Sequence, residues 1–172
     1  MRTLILAFVM LAGCATAPGQ PMTLVQEPPL VFPDGGAILQ NATTQQAPDR
    51  FVYVYYVSLP NLSLVVEQQR LQSNVYRIDQ QVRSVAEALV IFELEGVRVP
   101  ASSVEAVTNR LGTAFMFFGH TPAGLCLVFV QSYGESDTIF GRGCRTDVVL
   151  PSRLSSMHDQ GKAMLAGMRL RA

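Results

Sequence analysis

The apolar pattern of this chain predicts extended strands through its middle. Residues 51–57 are β-branched and aromatic, and the run stops before Pro60, which is typical of a strand. Because apolar residues occupy both of its faces, we expect this strand to lie at the centre of a sheet. The next predicted strands are 62–68 and 74–78, although the overlapping segment 65–73 also fits a helix.

The clearest helical pattern lies in residues 80–95. Its apolar side chains recur every three or four positions, at Val82, Val85, Ala86, Leu89 and Phe92. Asp79 is placed to cap the N-terminus, and Gly96 is placed to end the helix. We therefore predict one amphipathic helix packed on the sheet.

The segment 102–111 is compatible with two structures. Ser102 and Glu105 have the spacing of a capping box, and an apolar stripe follows, which favours a short helix. A strand through the same residues remains an alternative.

The rest of the chain predicts a hairpin-rich sheet closed by a helix. The predicted elements are strands at 113–118, 125–133 and 138–150, turns at 121–124 and 134–137, a short helix at 152–160, and a strand or helix at 163–171. Gly141 and Gly143 inside the last long strand indicate a bulge or a close approach. This order favours an α+β fold with an antiparallel sheet and one or two packed helices.

Residues 15–50 have the composition of an extended segment. The prolines are Pro18, Pro21, Pro28, Pro29, Pro33 and Pro48, set among Gln, Thr, Ala and Gly. Such a composition resists a packed core and predicts an extended Pro-rich tether. Within it, 22–25 and 30–32 are apolar enough to pair as edge strands, and 34–36 indicates a turn. We therefore divide the chain into a segment 1–13, a tether over 14–50 and one domain over 51–172.

The first fourteen residues carry a targeting pattern. Arg2 precedes an apolar run that ends in Leu11-Ala12-Gly13-Cys14. This arrangement is typical of a secretory signal, and the run is much shorter than the about 20 residues of a membrane-spanning helix. Its ending resembles the lipobox of bacterial lipoproteins. That resemblance implies removal of a signal peptide 1–13, lipidation of Cys14 and a membrane anchor on the periplasmic side. Ala15, where inner-membrane retention signals often have Asp, favours the outer membrane.

The charge balance bears on possible partners. The chain has 13 basic and 13 acidic residues, and loss of Arg2 with the signal would leave 12 basic against 13 acidic side chains. Nucleic-acid-binding proteins normally carry a basic patch, so we expect no nucleic-acid partner. No basic cluster suited to anionic lipid is present, so the lipid on Cys14 would supply the membrane contact.

Two cysteines remain once Cys14 is assigned to lipid. If the chain is exported, the pair Cys126 and Cys144 suggests a disulfide. If 125–133 and 138–149 form a hairpin that turns at Glu135, opposed residue numbers sum to 270, and these two cysteines face each other at disulfide distance. Two buried free thiols or a redox pair are the alternatives. Redox pairs usually occupy C-x-x-C, which is absent, and a metal site needs more ligands.

A longer block resembles a known family. The residues that carry it are Val107-Thr108-Asn109-Arg110-Leu111-Gly112, Gly119, Gly124, Cys126-Leu127 and Gln131, with a second Cys, a helix and a terminal strand matching Cys144 to Leu170. This block is similar to BcsN-type cellulose-biosynthesis proteins over about residues 80–170. The chain departs where that family has aromatics after its first Cys, since Val128 and Val130 flank Phe129 and Trp is absent. The resemblance implies an envelope accessory to exopolysaccharide production, with no catalytic residue to transfer.

Few residues suggest catalysis. His120 lies at a predicted turn and would need Asp137 or Asp147 within reach to act as a base. His158 lies beside Asp159 on a polar helix, and we expect both histidines to be ordinary surface residues. No nucleophile elbow, zinc motif, P-loop or dinucleotide fingerprint is present in the sequence. We therefore expect no catalytic residue, no cofactor and no metal site.

Aromatic residues form a second candidate, a platform for sugar or protein. They are Phe51, Tyr53, Tyr55, Tyr56, Phe115, Phe117 and Phe118. Aromatics at alternating strand positions usually belong to the core. Tyr56 and Phe118 break the one-face pattern, so we expect some aromatic surface to be exposed.

These patterns together predict a non-enzymatic, lipid-anchored envelope protein that supports cellulose-type exopolysaccharide synthesis or export. Its expected partners are the membrane, other envelope proteins and a polysaccharide. One alternative is a lipoprotein of a secretion or pilus assembly, and another is a small lipid-anchored glycan or peptidoglycan hydrolase. A deep pocket that gathers His120 with acidic residues would favour the hydrolase, whereas a flat apolar patch or an exposed sheet edge would favour a binding module.

Overall fold

The computed structural model describes residues 21–72, 81–134, 136–147 and 151–171. The strands in these ranges are β1 Thr23–Leu24, β2 Leu30–Val31, β3 Ile38–Gln46, β4 Arg50–Leu59, β5 Leu62–Leu71, β6 Val104–Asn109, β7 Gly112–Thr121, β8 Gly124–Tyr133, β9 Asp137–Arg145 and β10 Arg169–Leu170. The helices are α1 Val85–Leu94 and α2 Pro151–Gly167, with a 3₁₀ turn at Ala101–Ser103. The predicted signal, Cys14, the strand at 74–78 and the cap at Asp79 lie outside the described residues.

Eight strands form one antiparallel sheet in the order β1-β3-β4-β5-β9-β8-β7-β6. β2 and β10 pair separately, also antiparallel. β5 pairs along both of its edges, with β4 and with β9, so the helical alternative for 65–73 is wrong. A mostly antiparallel sheet with two helices is compatible with the predicted α+β class, although helix makes up the smaller part. None of the helices in the described ranges is long and apolar enough to cross a bilayer.

Each face of the sheet packs against a different helix. On the first face, Met164 and Leu165 of α2 are buried in one core with Leu127 and Phe129 of β8. The segment around β2 extends this cover, because Leu30 is fully buried in the same core. On the second face, α1 buries Ala88 and Phe92 with an apolar group from β7, β8 and β9 that includes Phe117, Val128 and Phe140. The second core therefore lies under α1, over one half of the sheet.

Helix α1 begins five residues later than the sequence predicted. The Ser84 hydroxyl accepts a hydrogen bond from the Glu87 N–H at 3.3 Å, and the Glu87 carboxylate accepts one from the Arg83 N–H at 2.6 Å. This arrangement resembles a capping box, except that the carboxylate accepts from the residue before the N-cap, and it starts the helix at Val85. Gly96, at φ +76°, follows the helix end as predicted.

The segment 102–111 resolves as strand. Val104–Asn109 pairs with β7 along its whole length, after the 3₁₀ turn at Ala101–Ser103. This pairing supplies hydrogen-bond partners for the backbone N–H and C=O groups along one edge of β7. A helix at 102–111 would leave those groups without partners. The Glu105 carboxylate does not cap a helix and instead bonds to Lys162 of α2 at 2.8 Å.

The tether predicted over 14–50 differs from the structure in its described part. β3 pairs with β4 from Ile38 to Gln46, so these residues belong to the sheet. The edge pairings predicted for 22–25 and 30–32 are present as β1 and β2. A polar edge strand and a solvated tether have similar compositions, so composition alone did not separate them.

The C-terminal helix is longer than predicted, since α2 continues past residue 160 to Gly167. Gly161 lies against Leu127, and a Cβ added there would be 3.0 Å from Leu127 Cδ2. A glycine in a helix costs about 1 kcal/mol relative to alanine, but here it permits close approach to the sheet. The burial of Met164 and Leu165 beyond it offsets that cost. The segment 163–171, predicted as a strand or a helix, is helical up to Gly167 and then forms the two-residue strand β10.

The glycines predicted to mark a close approach do so. A Cβ at Gly141 would overlap the Phe129 ring, and one at Gly143 would overlap the backbone of Ser63. Overpacking of this kind costs about 1–3 kcal/mol. We therefore expect Gly141→Ala to lower the free energy of unfolding by that amount in urea denaturation.

The matched control is the double variant Gly141→Ala/Phe129→Leu, which removes the overlapping ring atoms. Its loss of free energy of unfolding should be smaller than the sum of the losses of the two single variants. An unchanged urea midpoint for Gly141→Ala would contradict the close packing of these two strands.

Candidate functional site

Cys126 and Cys144 lie directly opposite each other in the β8–β9 hairpin. They form a disulfide with a Cα–Cα distance of 4.1 Å, so the predicted register and bond are both present. The Cys126 side chain is fully buried in the core under α1. This position indicates a structural bond, and the alternative of two free thiols does not hold.

Two of the residues that carry the family resemblance are bonded to each other. The amides of Asn109 and Gln131 exchange two hydrogen bonds of 2.9 Å each, and Asn109 Nδ2 also donates to the Leu165 carbonyl at 2.8 Å. Gly112 pairs with Asn109 across the β6–β7 hairpin, and its φ of +127° is one that side-chain-bearing residues rarely adopt. The set ties β6, β8 and the end of α2 together.

His120 is exposed, as expected, and the two acidic residues that it would need as partners are bonded elsewhere. It is exposed near the end of β7, while Asp137 accepts hydrogen bonds from Gln68 at 2.8 Å and Arg70 at 3.0 Å. Asp147 pairs with Arg145. Among the described residues, no acid–base pair forms at His120.

A charged cluster that the sequence did not indicate joins β6 to α2. Glu105 Oε1 lies 2.6 Å from His158 Nε2, and Glu105 Oε2 accepts from Lys162 Nζ at 2.8 Å. The hydrogen bond from Lys162, followed by that from His158, lowers the pKa of Glu105. The other ring nitrogen of His158 is 3.5 Å from Asp159, and its ring lies against Phe118. These contacts connect strand β6 to helix α2. We call Glu105, His158 and Lys162 the latch.

The only local signal for this latch was the four-residue spacing of His158 and Lys162, which places them on one helix face. Nothing in the sequence indicated that Glu105 would lie opposite them. That contact depends on how α2 crosses β6, which is a tertiary feature.

A second polar group is buried inside the sheet. The Tyr55 hydroxyl donates to Gln68 Oε1 at 2.6 Å, and Gln68 Nε2 donates to Asp137, which also pairs with Arg70. Burial raises the pKa of Tyr55 above its ordinary value. Tyr55 is therefore a satisfied core residue and not part of an exposed platform.

The aromatic residues divide as the pattern suggested. Tyr55 is buried in the core on the first face, and Phe115 and Phe117 are buried in the core under α1. Phe51 and Tyr53 are half-buried, and Phe118 is half-buried against His158. Tyr56 is exposed, which confirms the expectation that some aromatic surface remains open.

The strand register shows which face Tyr56 occupies. Directly paired residues point to the same face of a sheet. Tyr56 is paired with Val65, Val65 with Arg142, and Arg142 with Val128, whose side chain lies in the core under α1. The second face therefore continues from the α1 core to Tyr56 and Val65, where it is exposed.

The exposed part extends to the edge of the sheet. Ile38 pairs with Ser58, two residues from Tyr56, and Leu24 pairs with Thr43 on the same face. The sulfur of Met22 lies 3.9 Å from the Thr43 hydroxyl. The exposed fractions are Met22 54%, Leu24 67%, Ile38 62%, Tyr56 40% and Val65 41%. We call these five residues the open face; in the described part of the sheet they include every large apolar side chain that is exposed.

The open face is shallow and uncharged. A groove of about 490 Å³ runs across it, lined by Gln40, Tyr56, Val57, Ser58, Ser63, Leu64 and Val65. Charged side chains border it on the same face of the sheet. Arg142 is paired with Val65 and its Nη1 donates to the Glu95 carbonyl at 3.0 Å, Glu67 lies two residues along β5, and Arg50 lies at the far end of β4. Burial, and then nearby Glu67, raises the pKa of Glu95. A flat apolar surface with a charged border is suited to binding and offers no convergent set of catalytic groups.

The disulfide should stabilise the domain substantially. For a sequence separation of 18 residues, the chain-entropy model gives about 3 kcal/mol. We expect Cys126→Ala/Cys144→Ala to lose that free energy of unfolding in urea. Wild-type protein with dithiothreitol should show a similar loss, and equal stability of the oxidised wild type and the double variant would contradict a formed bond.

The latch at Glu105 should make stability depend on pH and salt. Because the folded-state pKa of Glu105 is lowered, its contribution is present above the unfolded-state pKa and is lost as the pH falls through the folded value. Glu105→Gln should therefore be less stable than wild type at pH 7, and the difference should shrink under acidic conditions and at high salt.

The matched control for this pH series is Glu93→Gln, because Glu93 pairs with Arg98 while both side chains are well exposed. It should have a smaller effect at every pH. An effect of Glu105→Gln that is the same at pH 7 and pH 3 would contradict the latch.

No protein-family model, no curated protein and no solved structure matches this chain. The case for a function therefore depends on the residues themselves. The features that bear on it are the disulfide, the predicted lipid attachment site and the open face.

Proposed function

We propose that this protein is a lipid-anchored, non-catalytic component of a bacterial cell envelope that supports synthesis or export of a cellulose-type exopolysaccharide. The observation that carries the proposal is the buried Cys126–Cys144 disulfide. Structural disulfides are typical of oxidising compartments such as the periplasm. An oxidised domain behind a lipobox-like Leu11-Ala12-Gly13-Cys14 is consistent with export and anchoring.

The open face supports a binding role over a hydrolytic one. A glycan hydrolase would need two carboxylates, or a histidine and a carboxylate, converging on a substrate cleft. Here His120 is separate from Asp137 and Asp147, and Glu105 is engaged by Lys162 and His158. The grooves in the described residues are shallow, and the apolar face matches what a contact surface presents.

The polysaccharide assignment draws on the BcsN-type resemblance. Its quoted residues Asn109, Gly112 and Gln131 form one connected unit in the fold. A motif whose members touch is more informative than the same letters scattered over unrelated sites. The unit is structural and indicates no catalytic step.

Lipidation gives the first test. In a bacterial host, Cys14→Ser should abolish incorporation of a labelled fatty acid and move the protein from the membrane fraction to the soluble periplasmic fraction. The control variant Cys126→Ala/Cys144→Ala should keep the label, because those cysteines are in the folded domain. Label retained in Cys14→Ser would contradict the anchor.

The envelope partner gives the second test. The protein is isolated from its native envelope after mild crosslinking, and co-isolated proteins are identified by mass spectrometry. Recovery of polysaccharide-synthase or export subunits would support the proposed role. Recovery of secretion or pilus subunits would replace it with that assembly, and reproducible isolation of the protein alone would direct the work to glycan-hydrolysis assays.

A further inference from the structure

We propose that the open face lies on the surface of the bilayer that anchors Cys14, so that the sheet itself makes a second hydrophobic contact with the membrane. This inference rests on the proposed lipid anchor and adds the orientation of the domain. It also assigns a ligand, the headgroup and upper acyl region of a lipid layer, to a surface formed by Met22, Leu24, Ile38, Tyr56 and Val65.

The position of the anchor is the first argument. Cys14 precedes Met22 by eight residues, and a chain spans at most about 3.5 Å per residue, which limits their separation to roughly 28 Å. Met22 and Leu24 are at the outer edge of the open face, on the strand where the described chain enters the sheet. The lipid is therefore held within that distance of the outer edge of the open face.

The width of the face is the second argument. Neighbouring strands lie about 4.8 Å apart, so Val65 on β5 is roughly 15 Å from β1 across three strand spacings. The reach of the chain from Cys14 is longer than this width. The whole open face can therefore meet the bilayer without moving the anchor out of it.

The chemistry of the surface is the third argument. The five apolar side chains are interspersed with Asn41, Thr43, Ser58 and Ser63, all uncharged. Membrane-interface surfaces combine apolar area with polar groups that stay hydrated, and tyrosine is favoured there because its ring is apolar and its hydroxyl is polar. Charged side chains limit this surface on the α1 side, where they would meet the lipid headgroups. They are Arg142, Glu67 and Glu95.

The opposite side of the molecule differs in character. The outer surface of α2 presents Arg153 and Asp159, which are exposed, and the half-exposed Lys162. This contrast between the two sides favours one orientation on a membrane. The lipid on Cys14 would hold the protein at the membrane, and an apolar protein face next to it would fix how the domain is oriented there.

The chain contains no tryptophan, so an introduced Trp is the only source of tryptophan fluorescence in the protein. Tyr56→Trp and Ile38→Trp place it on the open face, and Ala163→Trp places it on the exposed outer surface of α2. Each full-length variant is purified in its lipidated form and reconstituted into phosphatidylcholine vesicles with ordinary or brominated acyl chains. Vesicle flotation is measured on the same samples.

Interfacial protein surfaces lie about 5–10 Å into the headgroup and acyl boundary. We therefore expect Tyr56→Trp and Ile38→Trp to lose roughly half or more of their emission in brominated vesicles. The emission of Ala163→Trp should be unchanged. The two open-face variants test one surface independently, so misfolding of either one leaves the other informative.

Flotation of all three variants without quenching at Tyr56→Trp or Ile38→Trp would overturn this inference and leave the proposed anchor intact. Equal quenching of Ala163→Trp would also overturn it, because the domain would then have no fixed orientation. If quenching were absent and the emission shifted to the blue as protein concentration rose, the face would bind a second copy. Failure of every variant to float would instead contradict the lipid anchor in the proposed function.

Discussion

The rest of this structure depends on how far two helices can cover an eight-stranded sheet. Strands lie about 4.8 Å apart and a helix is about 10 Å wide, so one helix covers two or three strands. On the first face, α2 is supplemented by the segment around Leu30, and the core is continuous from β3 to β7. On the second face, α1 has 10 residues and covers the β7–β9 half. No helix in the described ranges covers the other half of that face, where Tyr56 and Val65 are exposed.

The sequence is adapted to this unequal cover. On the covered half, Phe117, Val128 and Phe140 fill the core under α1. On the uncovered half, apolar residues such as Tyr56 and Val65 share the surface with serines and threonines. The sheet edge beside them is shortened to the two residues of β1, and a register shift between Leu39 and Asn41 interrupts β3. Both are ordinary devices that protect a sheet edge from uncontrolled pairing.

Local sequence signals predicted the parts of the fold that local physics determines. The β8–β9 register followed from one turn position and two cysteines, and the existence of α1 followed from its apolar period. The helix start was missed because a second capping residue, Ser84, lies inside the predicted span and starts the helix at Val85. The capping-box spacing at Ser102 and Glu105 was misleading, since β7 offered six paired positions to the same segment.

The candidate surfaces depended on contacts between residues far apart in the sequence. The open face joins the α1 core only through the pairing of β5 with β9, as at Val65 and Arg142, and no local pattern encodes that pairing. The Glu105 latch likewise needs α2 to cross β6. The sequence could therefore predict that Tyr56 would be exposed, but not which apolar residues would share its face.

The central claim is that this is an exported domain, oxidised in its core and attached to a membrane through Cys14. The most direct measurement is the intact mass of the protein from its native envelope, determined without reducing agent and followed by fragmentation. The account predicts a chain that begins at an acylated Cys14 and has Cys126 joined to Cys144. A chain that retains Met1 with an unmodified Cys14, or one with free thiols at both other cysteines, would contradict it.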